Sequence, residues 1–314
     1  MNILVCGGAG FIGSHLIDSL MTAGHNVVCA DNLCLGSKKL VEHHFENNAF
    51  KFYEIDIHDN EQLERVFAGY SFDRVYHLAA NSDIQKGGTD PTIDIRDTLN
   101  TTLSLLQTMY RHDIKELLFS STSAIYGDKR GLLAEEDGGL SPISYYGGAK
   151  LASEAMISAF AAMNDMRVNI VRFPNVVGPR LTHGALYDFV RKLRNNPSEL
   201  EILGDGSQEK PYVYVTDLID AMLFLPFGTG VGIFNVGVTT ATTARRIADI
   251  VCEEMGLFDV TYRFTGGNVG WKGDVAKFQY DLSKIHGMGW TAKLTSDEAV
   301  RMSAKAVLND VEFR

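Results

Sequence analysis

The seven residues GGAGFIG, at positions 7–13, narrow the choice of fold more than any other stretch of this chain. They follow the apolar run ILVC and lead into a segment of helical period, Ser14 to Ala23. Glycine permits a tight turn and a close approach of backbone N–H groups to phosphate, and a helix N-terminus adds the positive end of its dipole. Gly7, Gly10 and Gly13 therefore mark a strand-to-helix turn suited to a dinucleotide, although their spacing is GxxGxxG rather than GxGxxG.

The same alternation continues through the first half. After NVVCAD at 26–31 come a helical Asn60 to Phe67, RVYHLAA at 74–80, a helical Asp97 to Tyr110, and ELLFSS at 116–121. VNIVRF at 168–173 reads as a sixth strand after a long helix opened by Tyr146. Strands alternating with helices predict an α/β fold of the Rossmann type, a doubly wound parallel sheet covered on both faces. Beyond Arg172 the rhythm breaks into PNVVGPRLTHG, a helix near Ala185 to Arg194, the turn-rich LGDGSQEKPY, strands at VYV and IFNVG, and helices at Thr243 to Met255 and Ser296 to Asn309. The expected division is a dinucleotide-binding domain over 1–176 with 212–238, and a smaller α/β substrate domain over 177–211 and 239–314.

Composition limits the partners. At 314 residues with 45% hydrophobic content the chain can fill a sizeable core, and a formal charge of −10 argues against nucleic acid or anionic membrane. No apolar segment approaches the ~20 residues that span a bilayer, and the N-terminus lacks the features of a signal peptide. Cys6, Cys29, Cys34 and Cys252 show neither a CxxC pair nor metal-ligand spacing, so no metal is expected and a reducing, cytoplasmic setting is.

Two further readings come from the residues themselves. Asp31 ends the second strand, where a carboxylate accepts from an adenine-ribose hydroxyl and repels a 2′-phosphate, favouring NAD over NADP; Lys38 and Lys39 nearby argue the other way. Asp56 and Ile57 end the next strand and either border adenine or serve as a turn aspartate and a core isoleucine. In ISYYGGAK, at 143–150, a tyrosine acting as base needs a neighbour that favours its phenolate, since free tyrosine has a pKa of ~10. Lys150 lies one helical turn from Tyr146 but five residues from Tyr145, which selects Tyr146. The hydroxyl run Ser120 to Ser123 in FSSTSAIYG falls at the same carboxyl edge of the sheet as the glycine turn.

In order along the chain, GGAGFIGSHL, DNL, YHLAA, FSSTSAIYG, YYGGAK, RFPNVVGPR, GDGSQEKPYVYVTDLIDA and GWKGDVAKFQYDLSKI resemble the nucleotide-sugar epimerase/dehydratase branch of the extended short-chain dehydrogenase/reductase superfamily. The resemblance implies that Thr122 fills the Ser/Thr position, Tyr146 is the base, and Lys150 lowers its pKa while holding the nicotinamide ribose. Phe11, Ile12, Asp31 and Asn32 join the glycines around the dinucleotide, with Leu78, Ala79, Ala80, Ser120 and Phe173 lining it. Ser82, Asn175, Lys210, Trp271 and Asp274 are the implied sugar-nucleotide residues. Lys210 stands where relatives commonly carry arginine, keeping the charge but losing the bidentate fork. Trp271 stands where many carry a diphosphate-binding arginine; Lys272 is its substitute, or Trp271 stacks on base or sugar, or it is a core plug. Thr98 occupies a position that is often asparagine.

The branch begins with oxidation to a keto-sugar, and its members diverge at the second step. A dehydratase usually has Asp-Glu after its Ser/Thr to supply acid and base, whereas this chain has Ser123 and Ala124. The implied activity is an NAD-dependent nucleotide-sugar 4-epimerase, UDP-hexose first among substrates, with C4 oxidation, rotation of the keto-sugar and hydride return. The alternatives are a dehydratase or dehydrogenase drawing its acid from Glu135 or Glu136, and a non-catalytic NAD-binding sensor. The family also implies a homodimer, through the helices Asp97 to Tyr110 and Tyr146 to Met163, which carry Leu103, Leu106, Ala155 and Phe160; Leu103 and Leu106 equally suit an internal core.

Overall fold

The computed structural model describes residues 1–129, 131–271 and 273–310, apart from the side chains of Gln85 and Lys86. Contacts divide the chain into two compact units. The first is Met1–Ile125, Ser144–Arg172 and Met222–Phe234; the second is Tyr126–Ile143, Phe173–Ala221 and Asn235–Arg314.

The first unit is built on a seven-stranded sheet. Its order from edge to edge is Gly230–Asn235, Arg167–Phe173, Glu116–Thr122, Arg74–His77, Asn2–Cys6, Asn26–Asp31 and Phe50–Glu54. All registers from Phe50–Glu54 across to Glu116–Thr122 are parallel. The strand order reverses beside Asn2–Cys6, which places a crevice at the carboxyl ends of the strands there, the usual ligand position in open α/β sheets.

Alternation along each strand feeds two cores. Leu4, Cys6, Val28, Ala30, Leu117 and Phe119 join Leu63, Phe67, Leu105, Leu106, Met109 and Ile157 of the covering helices, all buried in one cluster. The intervening residues Ile3, Val5, Val27 and Cys29 are equally buried, as are Leu16, Ile17 and Leu20 of the helix Phe11–Thr22. Leu106 is thus internal core, and Phe160 packs against the same cluster.

Two boundaries differ from the sequence reading, one for a local reason and one for a tertiary one. The first helix begins at Phe11, with Gly10 as its N-cap, because the glycine turn itself delivers the chain into helix. The helix expected to run evenly from Asp97 opens instead as a π-helical turn over Ile95–Asn100, followed by α-helix Thr101–Arg111. The π turn places Thr98 inward, where its hydroxyl accepts from the Asn81 N–H at 3.2 Å. The long helix Tyr145–Asn164 is capped by Ser144, whose hydroxyl accepts from Gly147 N–H, and ends at Asp165 in the left-handed region.

The second unit contains small two-stranded pairings. Tyr212–Tyr214 runs parallel to Asn175–Val177, and Thr261–Phe264 parallel to Glu199–Ile202. The helices Ala185–Asn195, Ala244–Met255 and Ser296–Asn309 bury Leu186, Ile247, Val251, Val300 and Val307. No helix among the described residues is long and apolar enough to cross a membrane.

Candidate active site

The glycine turn is closed by backbone alone. Gly7 has φ +77°, and a Cβ there would lie 2.7 Å from Ala79 N; a Cβ on Gly13 would lie 2.2 Å from the Gly7 carbonyl oxygen. Any side chain at either position would displace main chain. The result is a cradle of backbone at a helix N-terminus, which fits the pyrophosphate of a dinucleotide. Phe11 and Ile12 follow it, half-buried, in the first helical turn.

Asp31, buried at its strand end, anchors the cradle. Its Oδ2 accepts from the Ala9 N–H at 2.9 Å and its Oδ1 from the Leu33 N–H at 2.8 Å. Burial pushes its pKa up while those two donors hold it down. Each oxygen keeps a second lone pair, so the clip leaves capacity to accept from a ribose hydroxyl. Lys38, a candidate cation for an extra phosphate, is paired instead with Glu54 at 2.6 Å. Asn32 donates to Asp56 at 3.3 Å, and His58 bonds lower the Asp56 pKa against its desolvation. Ile57 is core. Leu78, Ala79 and Ala80 follow the fourth strand half-buried, and Ser82 is exposed in the loop beyond.

Across the same sheet edge lies the candidate proton-transfer set. Tyr145 is 56% exposed, whereas Tyr146 is half-buried and hydrogen-bonded to Thr122. Of the two tyrosines, the one that meets Thr122 is thus the one that lies a helical turn from Lys150. Burial pushes Tyr146 up to about 12; the Thr122 bond acts to lower it and the Asp94 charge to raise it further. Lys150 Nζ donates to the Ser120 carbonyl at 2.7 Å and lies 4.6 Å from the Phe119 ring centroid. Burial lowers Lys150 to about 7, against the opposing charge of Glu154.

That value gives a signed expectation for the ligand-free protein. The folded state holds Lys150 at about 7 and the unfolded chain near its ordinary 10.5, so above pH 7 the unfolded state binds more protons. Stability from this group therefore rises with pH through that window, by on the order of 2 kcal/mol between pH 7 and 9. Urea titrations at both pH values check it. Lys150→Met removes the increment; an equal rise in the variant would assign it to other groups.

Sequence reading missed the residues behind this set. Ser121 donates to Glu154 Oε1, and Arg172 donates to the same carboxylate from Nε at 3.1 Å and Nη2 at 2.6 Å, with both charged side chains nearly inaccessible. Tyr146, Lys150 and Glu154 thus occupy successive turns of one helix, facing Thr122, Ser120 and Ser121. The repeat of four beyond Lys150 was the available signal. Asn81, which donates to the buried Asp94 at 2.8 Å, gave no pattern in sequence.

In the second unit, Lys210, Trp271 and Asp274 meet. Lys210 pairs with Asp274, lies 5.1 Å from the Trp271 ring centroid, and is only 14% exposed. Trp271 is 37% exposed, too open for a core plug. Asn175 is exposed and bonds to the Tyr212 hydroxyl, while Phe173 is half-buried at the start of this unit's second segment. Lys272 lies outside the described residues.

A family model for the NAD dependent epimerase/dehydratase family matches residues 3–237. The putative UDP-glucose 4-epimerase of Methanocaldococcus jannaschii is 30% identical over 95% of this chain and 96% of its own. Among solved structures, the UDP-glucose 4-epimerase of Thermotoga maritima with UDP-glucose is 32% identical with a TM-score of 0.89, covering 98% of this chain and 99% of that one. The Thermus thermophilus UDP-glucose 4-epimerase, in complex with NAD, is 30% identical with a TM-score of 0.89, covering 99% of this chain and 100% of that one.

Proposed function

The chain belongs to the NAD dependent epimerase/dehydratase family, and we propose that it is a nucleotide-sugar 4-epimerase that uses NAD and acts on a UDP-hexose. The observation that carries this reading is the Thr122–Tyr146 contact with Lys150 one turn along, followed by Ser123 and Ala124 where a dehydratase needs an acid and a base. The glycine turn, Asp31 and Asn32 would hold NAD, with Asp56, Leu78, Ala79, Ala80, Ser120 and Phe173 lining it. When bound, it supplies the two-electron acceptor and, in its oxidised form, a positive charge.

Tyr146 takes the proton of the sugar C4 hydroxyl, and Thr122 holds the same oxygen by hydrogen bond. A phenol held at about 12 is neutral at pH 7, so the base needs added positive charge before it acts. Lys150, one helical turn along, supplies part of it by moving from the Ser120 carbonyl toward the phenol. Reprotonation by Tyr146 completes the return of the keto-sugar to the alcohol. Ser82, Asn175, Lys210, Trp271 and Asp274 are the proposed sugar-nucleotide contacts. Lys210 offers charge to a diphosphate, and Trp271 a face to a base or sugar.

The dehydratase alternative has less behind it. Glu135 is buried and its carboxylate accepts from the Asn235 N–H at 2.8 Å, while Glu136 is 91% exposed beside Lys284. Incubation of the pure protein with UDP-, dTDP-, CDP- and GDP-hexoses, read by mass and proton NMR, decides between them. An unchanged mass with a new C4 stereoisomer supports the epimerase and names the sugar; loss of one water overturns it. We place the enzyme in the cytoplasm, a reading supported by four free thiols, three of them buried. Homodimer formation is supported by exposed Ala155, Tyr110 and Met163 on the two helices. A monomeric mass in light scattering would exclude the dimer.

A further inference from the structure

Asp18, His43 and His44 bring three metal-ligating side-chain atoms within 4.8 Å of one another. Nothing in the epimerase reading uses them. Asp18 lies on the helix Phe11–Thr22, and the histidines lie in the 3-10 turn Glu42–His44. His43 Nε2 is 2.8 Å and His44 Nε2 2.7 Å from the same oxygen, Asp18 Oδ1. Consecutive residues of a helical turn normally face different ways, so this convergence does not follow from local geometry. The packing holds it: the two imidazole centroids are 4.1 Å apart, and His44 rests on Phe50 at 5.5 Å. His44 is 14% exposed and His43 46%, which leaves one side of the cluster open to water.

We propose that Asp18, His43 and His44 form a binding site for one divalent transition-metal ion of the zinc class, with solvent completing the coordination. Two imidazoles and a carboxylate make a nitrogen-rich donor set that suits zinc, cobalt or nickel and disfavours the all-oxygen preference of magnesium and calcium. Metal–ligand bonds of about 2.0–2.1 Å in a tetrahedron separate ligand atoms by roughly 3.4 Å. Each imidazole therefore moves about 0.6 Å from Asp18 to admit the ion, within the reach of side-chain rotation. The one carboxylate offsets part of the ionic charge, and the net charge of −10 on the whole chain favours a cation. An ion here ties the helix that follows the glycine turn to the chain that follows Asp31, bracing the two segments of the dinucleotide cradle from outside.

The test uses the full chain without a histidine tag. Cobalt(II) serves as an optical probe, with zinc as competitor, alongside His43→Gln and His44→Gln variants whose folding is checked by far-UV circular dichroism. The expected result is uptake of one cobalt per chain, displacement by zinc but not by magnesium, and affinity weakened about tenfold or more in each variant. Zinc should also raise the thermal midpoint of the parent protein by more than that of either folded variant. Absence of uptake overturns the site, as does equal uptake in parent and variants or displacement by magnesium. None of these readouts depends on epimerase activity, so a failed sugar assignment leaves the metal question intact.

Discussion

Tyr146→Phe is expected to slow epimerisation by about 10²–10⁴-fold, the range for loss of a positioned acid–base group, while leaving NAD affinity nearly unchanged. The phenyl ring keeps its place on the helix, half-buried, and only the hydroxyl that meets Thr122 is lost. Tyr145→Phe is the matched control. Its side chain is 56% exposed and outside the Thr122 contact, so its rate should stay within about twofold, as surface substitutions generally do. Initial rates by NMR and calorimetric NAD titration read both quantities. Full activity in Tyr146→Phe would remove the tyrosine from the proton path, and loss of NAD binding would make its role structural.

The largest expected change in stability is at Arg172. Its guanidinium and the Glu154 carboxylate are 3% and 5% exposed, so neither charge is solvated when its partner is gone. Arg172→Met should cost about 3–5 kcal/mol, because it leaves the Glu154 carboxylate in the interior without the guanidinium that binds both its oxygens, while Ser121 still donates to it. Replacing both, Glu154→Leu with Arg172→Met, should recover more than half of that loss, since an apolar pair of similar volume carries no desolvation penalty. Urea denaturation of the two singles and the double closes the cycle. A cost below about 1 kcal/mol for Arg172→Met would show that water reaches the pair.

Much of the candidate site was legible because it is local. The glycine turn, Asp31 at a strand end and the Tyr146–Lys150 interval are statements about residues a few positions apart, where helix and strand periods dictate which side chains share a face. Reading Tyr146 over Tyr145 needed nothing beyond a helical period. The start of the first helix was less legible, because the glycine turn enters helix sooner than the apolar pattern suggests. The π turn at Ile95–Asn100 was not legible at all, since it answers to a tertiary bond between Thr98 and Asn81.

Tertiary structure alone decided the pairings across long intervals. Lys210 and Asp274 are 64 residues apart, and no local rule joins them or sets Trp271 beside them. The helical repeat that carries Tyr146 and Lys150 extends to Glu154, yet only the neighbouring strand, bringing Arg172, makes that carboxylate a buried ion-pair member rather than a surface charge. The Asp18, His43 and His44 cluster arises in the same way, from a helix and a turn that sequence reading had no cause to associate. Sequence by itself determined the alternation of strands and helices, the backbone cradle and which of the two tyrosines shares a helix face with Lys150, because short-range sterics and periodicity suffice for those. Burial, charge pairing and shifted proton affinities waited on the fold, because each depends on which distant groups exclude water from the same place.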